Sequence, residues 1–274
     1  MPELPEVEEV RRSLEPHLLH IPIAALRILR RDFITPNNAA LAALVGHRIT
    51  RTHRHGKKLF LIADDRQTLH LHLGMTGRVD CLPAAAPIAK HTHFILELAN
   101  HAHIRFHDPR RFGGIWYYPT LAQALAAQTQ SLGPDALALT PRHLAHWRTA
   151  RRGGGRLKQR LLAQRDVAGL GNIYVDEALW KARLHPLQLV RRITPAQIRI
   201  LVAVFRRLLR RSIAHGGTTL RDYRNASHQP GRFALQLHAY GRGGQPCHRC
   251  QTTLRSAPIA ARTTVFCPAC QKRH

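Results

Sequence analysis

Apolar residues recur at helical spacing at the start of the chain and at strand spacing after it. Val7, Val10, Leu14 and Leu18 fall on one face of a helix predicted from about Glu3 to Leu19. Pro5 suits its first turn, and Glu3, Glu6, Glu8 and Glu9 favour the positive end of its dipole. Residues 21–118 then read as short strands. The runs 59–62, 69–73, 94–98 and 103–106 are bounded by Gly, Pro and Asp-Asp breakers, and Ala39–Leu44 looks like a helical interruption. No strand–helix–strand rhythm runs through this stretch, which favours a sandwich or barrel over a parallel sheet. From Leu121 the pattern becomes helical, with Gly133-Pro134 as a hinge between domains. Thr140-Pro141 and Thr194-Pro195 each place a cap before a proline at the first helical position. The helix after Thr194 carries Ile198, Leu201, Val202, Phe205, Leu208 and Leu209 on one stripe and stops at Gly216-Gly217. Arg206, Arg207, Arg210 and Arg211 lie mostly off that stripe and read as a solvated face. Residues 241–274 form a third, small unit.

Composition adds a partner. The 274 residues include 42 Lys and Arg against 16 Asp and Glu, a formal charge of +26. After Glu177 the only acid is Asp222, set against 18 basic residues. A balance of this kind points to a polyanion, nucleic acid ahead of an anionic membrane or a heparin-like chain. Coding bias could put Arg in place of Lys, but it would not remove acids. With 44% hydrophobic residues the chain can build a core, which excludes a disordered basic tail. The first residues are acidic, unlike an export signal, and the longest uncharged run, 112–134, is broken by Pro119 and Gly133. A cytoplasmic protein without a membrane partner is expected.

Four of the five cysteines form two pairs, Cys247-x2-Cys250 and Cys267-x2-Cys270, while Cys81 stands alone. Each CxxC turn can place two thiolates on one metal, and the 16 residues between the pairs can return as a hairpin. Four soft ligands in a closed tetrahedron fit one structural zinc ion. A segment this short buries little core, so the metal would supply much of its folding free energy. A zinc ribbon alone would describe a binding module without catalysis.

Helices over 157–164 and 173–183 flank Val167-Ala-Gly-Leu-Gly-Asn172. Two glycines allow a tight turn whose amides, next to a helix N-terminus, can hold a phosphate. An ordinary helix–helix corner would use the same residues. At the other end of the chain, removal of Met1 would leave Pro2 as a free secondary amine. Such an amine can attack a sugar aldehyde carbon and form an iminium, an electron sink for proton abstraction and phosphate loss. An α-amino group titrates near pH ~8, which leaves a neutral fraction at pH 7. Glu3 beside it is a candidate acid.

These segments occur together with several others. Pro2–Glu8, Gly56-Lys57, residues 72–77, Lys90-His91, residues 108–113, residues 169–174 with Glu177, residues 216–219, Tyr240-Gly241 and the four cysteines resemble, in order and spacing, the bacterial formamidopyrimidine-DNA glycosylases. That resemblance implies an α+β multidomain fold. It would comprise an N-terminal β-sandwich with its helix over 1–130, a helix-two-turn-helix domain over 131–240 and a zinc-finger β-hairpin over 241–274. It implies a monomer acting on damaged double-stranded DNA, associated with the nucleoid, with a structural zinc and no catalytic metal.

The resemblance also implies roles for individual residues. Pro2 would be the Schiff-base nucleophile, Glu3 would protonate the sugar oxygen, and Glu6 would shape the site electrostatically. Lys57, rather than Lys58, would contact the phosphate beside the lesion and assist β-elimination. Met75, Arg110 and Phe112 would fill the gap left by an everted nucleotide, with apolar wedges and donors to the orphaned base. His91, Asn172 and Arg262 would contact phosphates, and Arg262 would be linked to δ-elimination. Glu177 would lie near the lesion pocket, and Thr218, Thr219 and Arg221–Tyr223 would face the everted base. Arg152 is the nearest phosphate contact in a stretch that departs from the family's basic cluster, and Lys158 has a rival claim. The function implied is removal of 8-oxoguanine and formamidopyrimidines followed by β- and δ-elimination. A related branch acting on oxidised pyrimidines is the nearest alternative.

Overall fold

The computed structural model describes residues 2–33, 38–149, 155–219 and 224–273. The chain packs as two compact units, residues 1–130 with 213–234, and residues 131–212 with 235–274.

In the first unit α1 spans Leu4–Leu18, and Val7, Val10, Leu14 and Leu18 are buried as their spacing predicts. Strands β1 (Ile23–Ile28), β2 (Ile49–His55), β3 (Lys58–Ala63) and β4 (Thr68–His72) follow, with the short helix α2 (Asn38–Leu41) before β2. Then come β5 (Arg78–Pro83), β6 (Thr92–Leu98), β7 (Ala102–His107) and β8 (Gly114–Tyr118). They form two four-stranded antiparallel sheets, β1-β6-β7-β5 and β2-β3-β4-β8. Leu59, Leu61, Leu69 and Leu71 of one sheet share a core with Phe94, Leu96, Ile104 and Phe106 of the other. This is the predicted sandwich.

The run 59–62 is continuously apolar because both faces of β3 are covered. Leu59 and Leu61 face the sandwich core, while Phe60 and Ile62 pack under α3 (Leu121–Thr129) with Ala124, Leu121 and Leu125. The imidazole of buried His70 stacks between Phe60 and Trp116, with ring centroids 5.0 and 4.8 Å away.

In the second unit, helices α4 (Leu157–Leu162) and α5 (Asn172–Ala182) bracket the glycine turn. The Gln164 side chain spans that turn, accepting the Gly169 amide at 2.8 Å and donating to the Leu170 carbonyl at 2.5 Å. Gly133-Pro134 is not loose chain. The Gly133 amide donates to Gln164, Pro134 accepts from Ala168, and a Cβ at Gly133 would fall 2.5 Å from the Asp166 backbone. The segment after Thr140 is a 3-10 helix, Pro141–Trp147, rather than an α-helix. Helix α6 (Pro195–Ala214) buries the predicted stripe and leaves Arg206, Arg207, Arg210 and Arg211 exposed. Strands β9 (Arg255–Ile259) and β10 (Arg262–Phe266) pair as the hairpin between the cysteine pairs. No helix among the described residues is long and apolar enough to cross a membrane.

Candidate active site and nucleic-acid interface

Pro2 and Glu3 are buried at the start of α1. Glu6, one turn on and 2% exposed, uses its two oxygens on different segments. Oε2 accepts the Glu3 amide at 2.9 Å, and Oε1 accepts the Thr218 amide at 2.7 Å. One carboxylate therefore fixes both the N-terminal turn and the 216–219 loop. That loop is backed by residues 231–233. The Thr219 hydroxyl accepts the Gly231 amide at 2.8 Å, and the Gly217 carbonyl accepts the Phe233 amide at 3.1 Å. A Cβ on Gly231 would lie 2.2 Å from the Gly217 oxygen, so only glycine permits this approach. Arg221–Tyr223 lie outside the described residues.

Gly56, at φ +58, makes the tight turn between β2 and β3 that carries Lys57. The turn is held from behind: Arg54 donates to the Gly56 carbonyl and to Glu8, both at 3.0 Å. Lys57 and Lys58 differ in surroundings. Lys58 donates to Gln128 of α3 at 2.9 Å, and burial lowers the pKa of its ammonium group. Its amine is committed to the outer face of the sheet.

Met75, Arg110 and Phe112 sit on two turns joined through buried Asp108. Its carboxylate accepts from the Thr76 hydroxyl at 2.5 Å and from the amides of Arg110 and Gly113 at 3.2 and 2.8 Å. A Cβ on Gly74 would meet the Phe112 backbone at 2.4 Å, so the two turns touch main chain to main chain. Phe112 is 54% exposed, and the Arg110 guanidinium lies 4.9 Å from the centre of its ring. The exposed phenyl ring and the guanidinium beside it are thus carried on a turn whose backbone is fixed by Asp108. His91 is exposed in the left-handed region, at φ +68. Its loop is fixed by a residue the sequence pattern left unremarked. Buried Arg105 donates to the carbonyls of Pro87 and Ala86 at 2.8 Å and of Pro83 and Ala84 at 3.3 Å.

In the second unit Asn172 is the first residue of α5, and its amide group donates to the Thr263 carbonyl of the hairpin at 2.8 Å. Arg262 is exposed at the start of β10. Glu177 is 0% exposed, and its Oε1 accepts the amides of His238, Ala239 and Tyr240 at 2.8, 2.7 and 3.0 Å. It anchors the bend at residues 238–240 that leads to the zinc finger. Arg152 lies outside the described residues. Lys158 loses its rival claim to a phosphate: it is 0% exposed and pairs with Asp176 at 2.5 Å.

The four cysteines Cys247, Cys250, Cys267 and Cys270 converge, with all ligand atoms within 4.8 Å of one another. Zinc bonds of about 2.3 Å in a tetrahedron place sulfurs about 3.8 Å apart, so the set fits one zinc and fills its coordination shell. The Trp180 indole donates to the Cys247 sulfur at 3.3 Å. That bond belongs to the shell around the ligands, which the cysteine spacing alone does not reveal.

Fold and site together define a zinc-finger protein of the helix-two-turn-helix class of DNA glycosylases. Three family models match in order: the formamidopyrimidine-DNA glycosylase N-terminal domain over residues 1–115, its H2TH domain over 132–224, and the zinc finger found in FPG and IleRS over 244–273. The formamidopyrimidine-DNA glycosylase of Teredinibacter turnerae is 40% identical over 99% of this chain and 100% of its own. That of Herpetosiphon aurantiacus is 41% identical over 99% and 100%. A crystal structure of a Lactococcus lactis FPG mutant with Fapy-dG containing DNA superposes with a TM-score of 0.92 at 31% identity, covering 99% of this chain and 100% of that one. The chain belongs to the formamidopyrimidine-DNA glycosylase family.

Proposed function

We propose that the chain excises oxidised purines, 8-oxoguanine and formamidopyrimidines, from duplex DNA through Pro2, and then cuts the abasic strand by β- and δ-elimination. Membership of the family makes it a base-excision repair glycosylase, and abasic-site lyase activity is general to that family. The observation that carries the reading is the shared carboxylate of Glu6. It ties the turn bearing Pro2 and Glu3 to the Thr218 loop assigned to the everted base, at 2.9 and 2.7 Å. Nucleophile and base-recognition loop are thereby held in one register, as covalent catalysis requires.

In this reading the Pro2 nitrogen bonds to the anomeric carbon as the glycosidic bond breaks and the base departs. Glu3 gives a proton to the ring oxygen, the ring opens, and an iminium forms. The adjacent carbon loses a proton into that electron sink and the 3′ phosphate leaves. A second elimination releases the 5′ phosphate. Lys57 and Arg262 hold the two departing phosphates, while His91, Asn172 and Arg152 grip the backbone further out. Met75, Arg110 and Phe112 occupy the gap. Glu177 acts by positioning residues 238–240. The zinc supplies structure to the hairpin that carries Arg262. Residues 1–130, 131–240 and 241–274 divide the work into catalysis, backbone grip and zinc finger, and the enzyme acts at the bacterial nucleoid in the cytoplasm.

Borohydride reduction tests this directly, because it converts the iminium to a stable cross-link. An 8-oxoguanine:cytosine duplex gives a trapped complex with the native protein. None forms when an extra residue precedes Pro2 and turns its amine into an amide. Undiminished trapping by that variant removes Pro2 from the mechanism. Duplexes carrying oxidised pyrimidines, scored for strand cleavage in parallel, separate the purine reading from its neighbour.

A further inference from the structure

Helix α6 presents a face rich in exposed arginines. Arg199, Arg206, Arg207, Arg210 and Arg211 are exposed, with Ala196, Ala203 and Ala214 between and beyond them. The helix contains no acid, and the only acidic residue after Glu177 is Asp222. Among the described residues, Arg199, Arg206, Arg207 and Arg210 enter no ion pair, whereas several exposed arginines of the first unit do, although Arg31, Arg51 and Arg66 do not. Arg27 pairs with Glu97 at 3.6 Å, Arg30 with Asp32 at 2.7 Å and Arg48 with Asp64 at 3.9 Å. Spacing makes the contrast sharper. Residues 206 and 210, and 207 and 211, are like charges one turn apart, an arrangement that weakens an isolated helix. Small alanines leave room for the guanidinium groups of Arg199, Arg206, Arg207 and Arg210 to reach outward. Coding bias would account for the number of arginines, but it gives no reason for a 20-residue helix to carry no acid.

From Arg199 to Arg211 the helix advances about 18 Å, over which one DNA strand presents about five phosphates. We propose that the exposed face of α6 is a second, sequence-independent contact for the phosphate backbone of duplex DNA, separate from the residues assigned to the lesion. It is not needed for base removal. It raises the affinity for undamaged duplex, on which a repair enzyme spends most of its time.

The test is the salt dependence of binding to undamaged duplex, measured for the full chain with zinc. Replacing Arg206, Arg207 and Arg210 together by Gln keeps helix propensity and removes three charges. If each meets a phosphate, the slope of log affinity against log salt falls by about 2 to 3, since each contact contributes about 0.9. Between 50 and 200 mM salt the native protein then loses about 40-fold more affinity than the variant. The matching triple Lys variant retains the native slope. A charge-matched control, Arg27, Arg30 and Arg48 to Gln, changes the slope by less than one. Single-turnover excision from a saturated lesion duplex stays within about twofold in all three. An unchanged slope in the Gln variant, or an equal fall in the control, overturns the proposal. Neither outcome depends on Pro2 trapping, so the two readings fail independently.

Discussion

Glu8 gathers three guanidinium groups on one carboxylate: Arg11 at 2.8 Å, Arg12 at 2.9 Å and Arg54 at 3.0 Å. Arg54 continues to the Gly56 carbonyl, so the helix that begins at the proposed nucleophile also holds the turn of Lys57. Burial alone would raise the Glu8 pKa, but the guanidinium groups bring it down to about 2. A carboxylate depressed in the folded state contributes stability that is complete above its unfolded pKa of 4.5 and is lost as pH falls through about 2. Glu8→Gln should therefore cost roughly 3 kcal/mol at pH 7. The gap to the native protein should narrow below pH ~4.5, as read by urea unfolding at a series of pH values. A gap that stays constant down to pH ~3 would show that the carboxylate's charge contributes nothing. Glu8 was visible as part of the N-terminal motif. Arg54 was not visible as its partner, because 46 residues separate them and only the packing of α1 on β2 and β3 joins them. Asp108 is similar: its motif is conspicuous, but its use as a common acceptor for two turns needs the fold.

Helix α5 is the element on which the zinc finger is mounted. Asn172 donates to Thr263, Asp176 accepts the Val265 amide at 3.0 Å, and Trp180 donates to Cys247. Asp176 also receives the Lys158 ammonium, and both side chains are essentially unexposed. Burial pushes the Asp176 carboxyl up to about 6 in spite of that cation, which marks a pair whose desolvation is large. Removing one partner should be far worse than removing both. Asp176→Asn is expected to destabilise the second unit by about 3–5 kcal/mol, because it strands a buried ammonium. The double variant Lys158→Met, Asp176→Leu should recover most of that loss. Denaturant unfolding of the zinc-loaded proteins decides it: a double variant no more stable than the single one would mean the pair is net stabilising. The cysteine pairs made the zinc finger legible from spacing. The turn between its strands did not announce itself, since Ala260 and Ala261 take φ +52 and +54, values usually left to Asn and Gly. The continuously apolar run of β3 follows from the cover on its outer face, itself a short apolar helix, α3.

At the scale of the molecule, the chain does not finish one unit before starting the next. Residues 213–234 begin at the last residues of α6 and rejoin the first 130. They bring Thr218 to Glu6, and they add Ala226, 0% exposed, to the sandwich core. The Ala226 amide donates to the Ser13 hydroxyl at 3.0 Å, and its carbonyl accepts the Cys81 amide at 3.1 Å. The pattern of helices and turns reads along the chain in order and carries no sign of this return, because nothing in a periodicity says where a segment will pack. The return has a mechanical consequence. A single cut between Gln130 and Ser131 breaks the only covalent link entering the second unit from its N-terminal side, yet the C-terminal fragment still supplies residues 213–234 to the first unit. The two fragments should therefore co-elute in native size-exclusion chromatography, separate in denaturant, and retain borohydride trapping. A protein built from units that merely follow one another would fall into two folded pieces after the same cut. Separation without denaturant would mean that burial of Ala226 and the Glu6–Thr218 bond are too weak to hold the returning segment. The site would then depend on chain continuity rather than on packing. Retention would place the integrity of the Pro2 site in the folded contacts of a segment encoded more than 200 residues away.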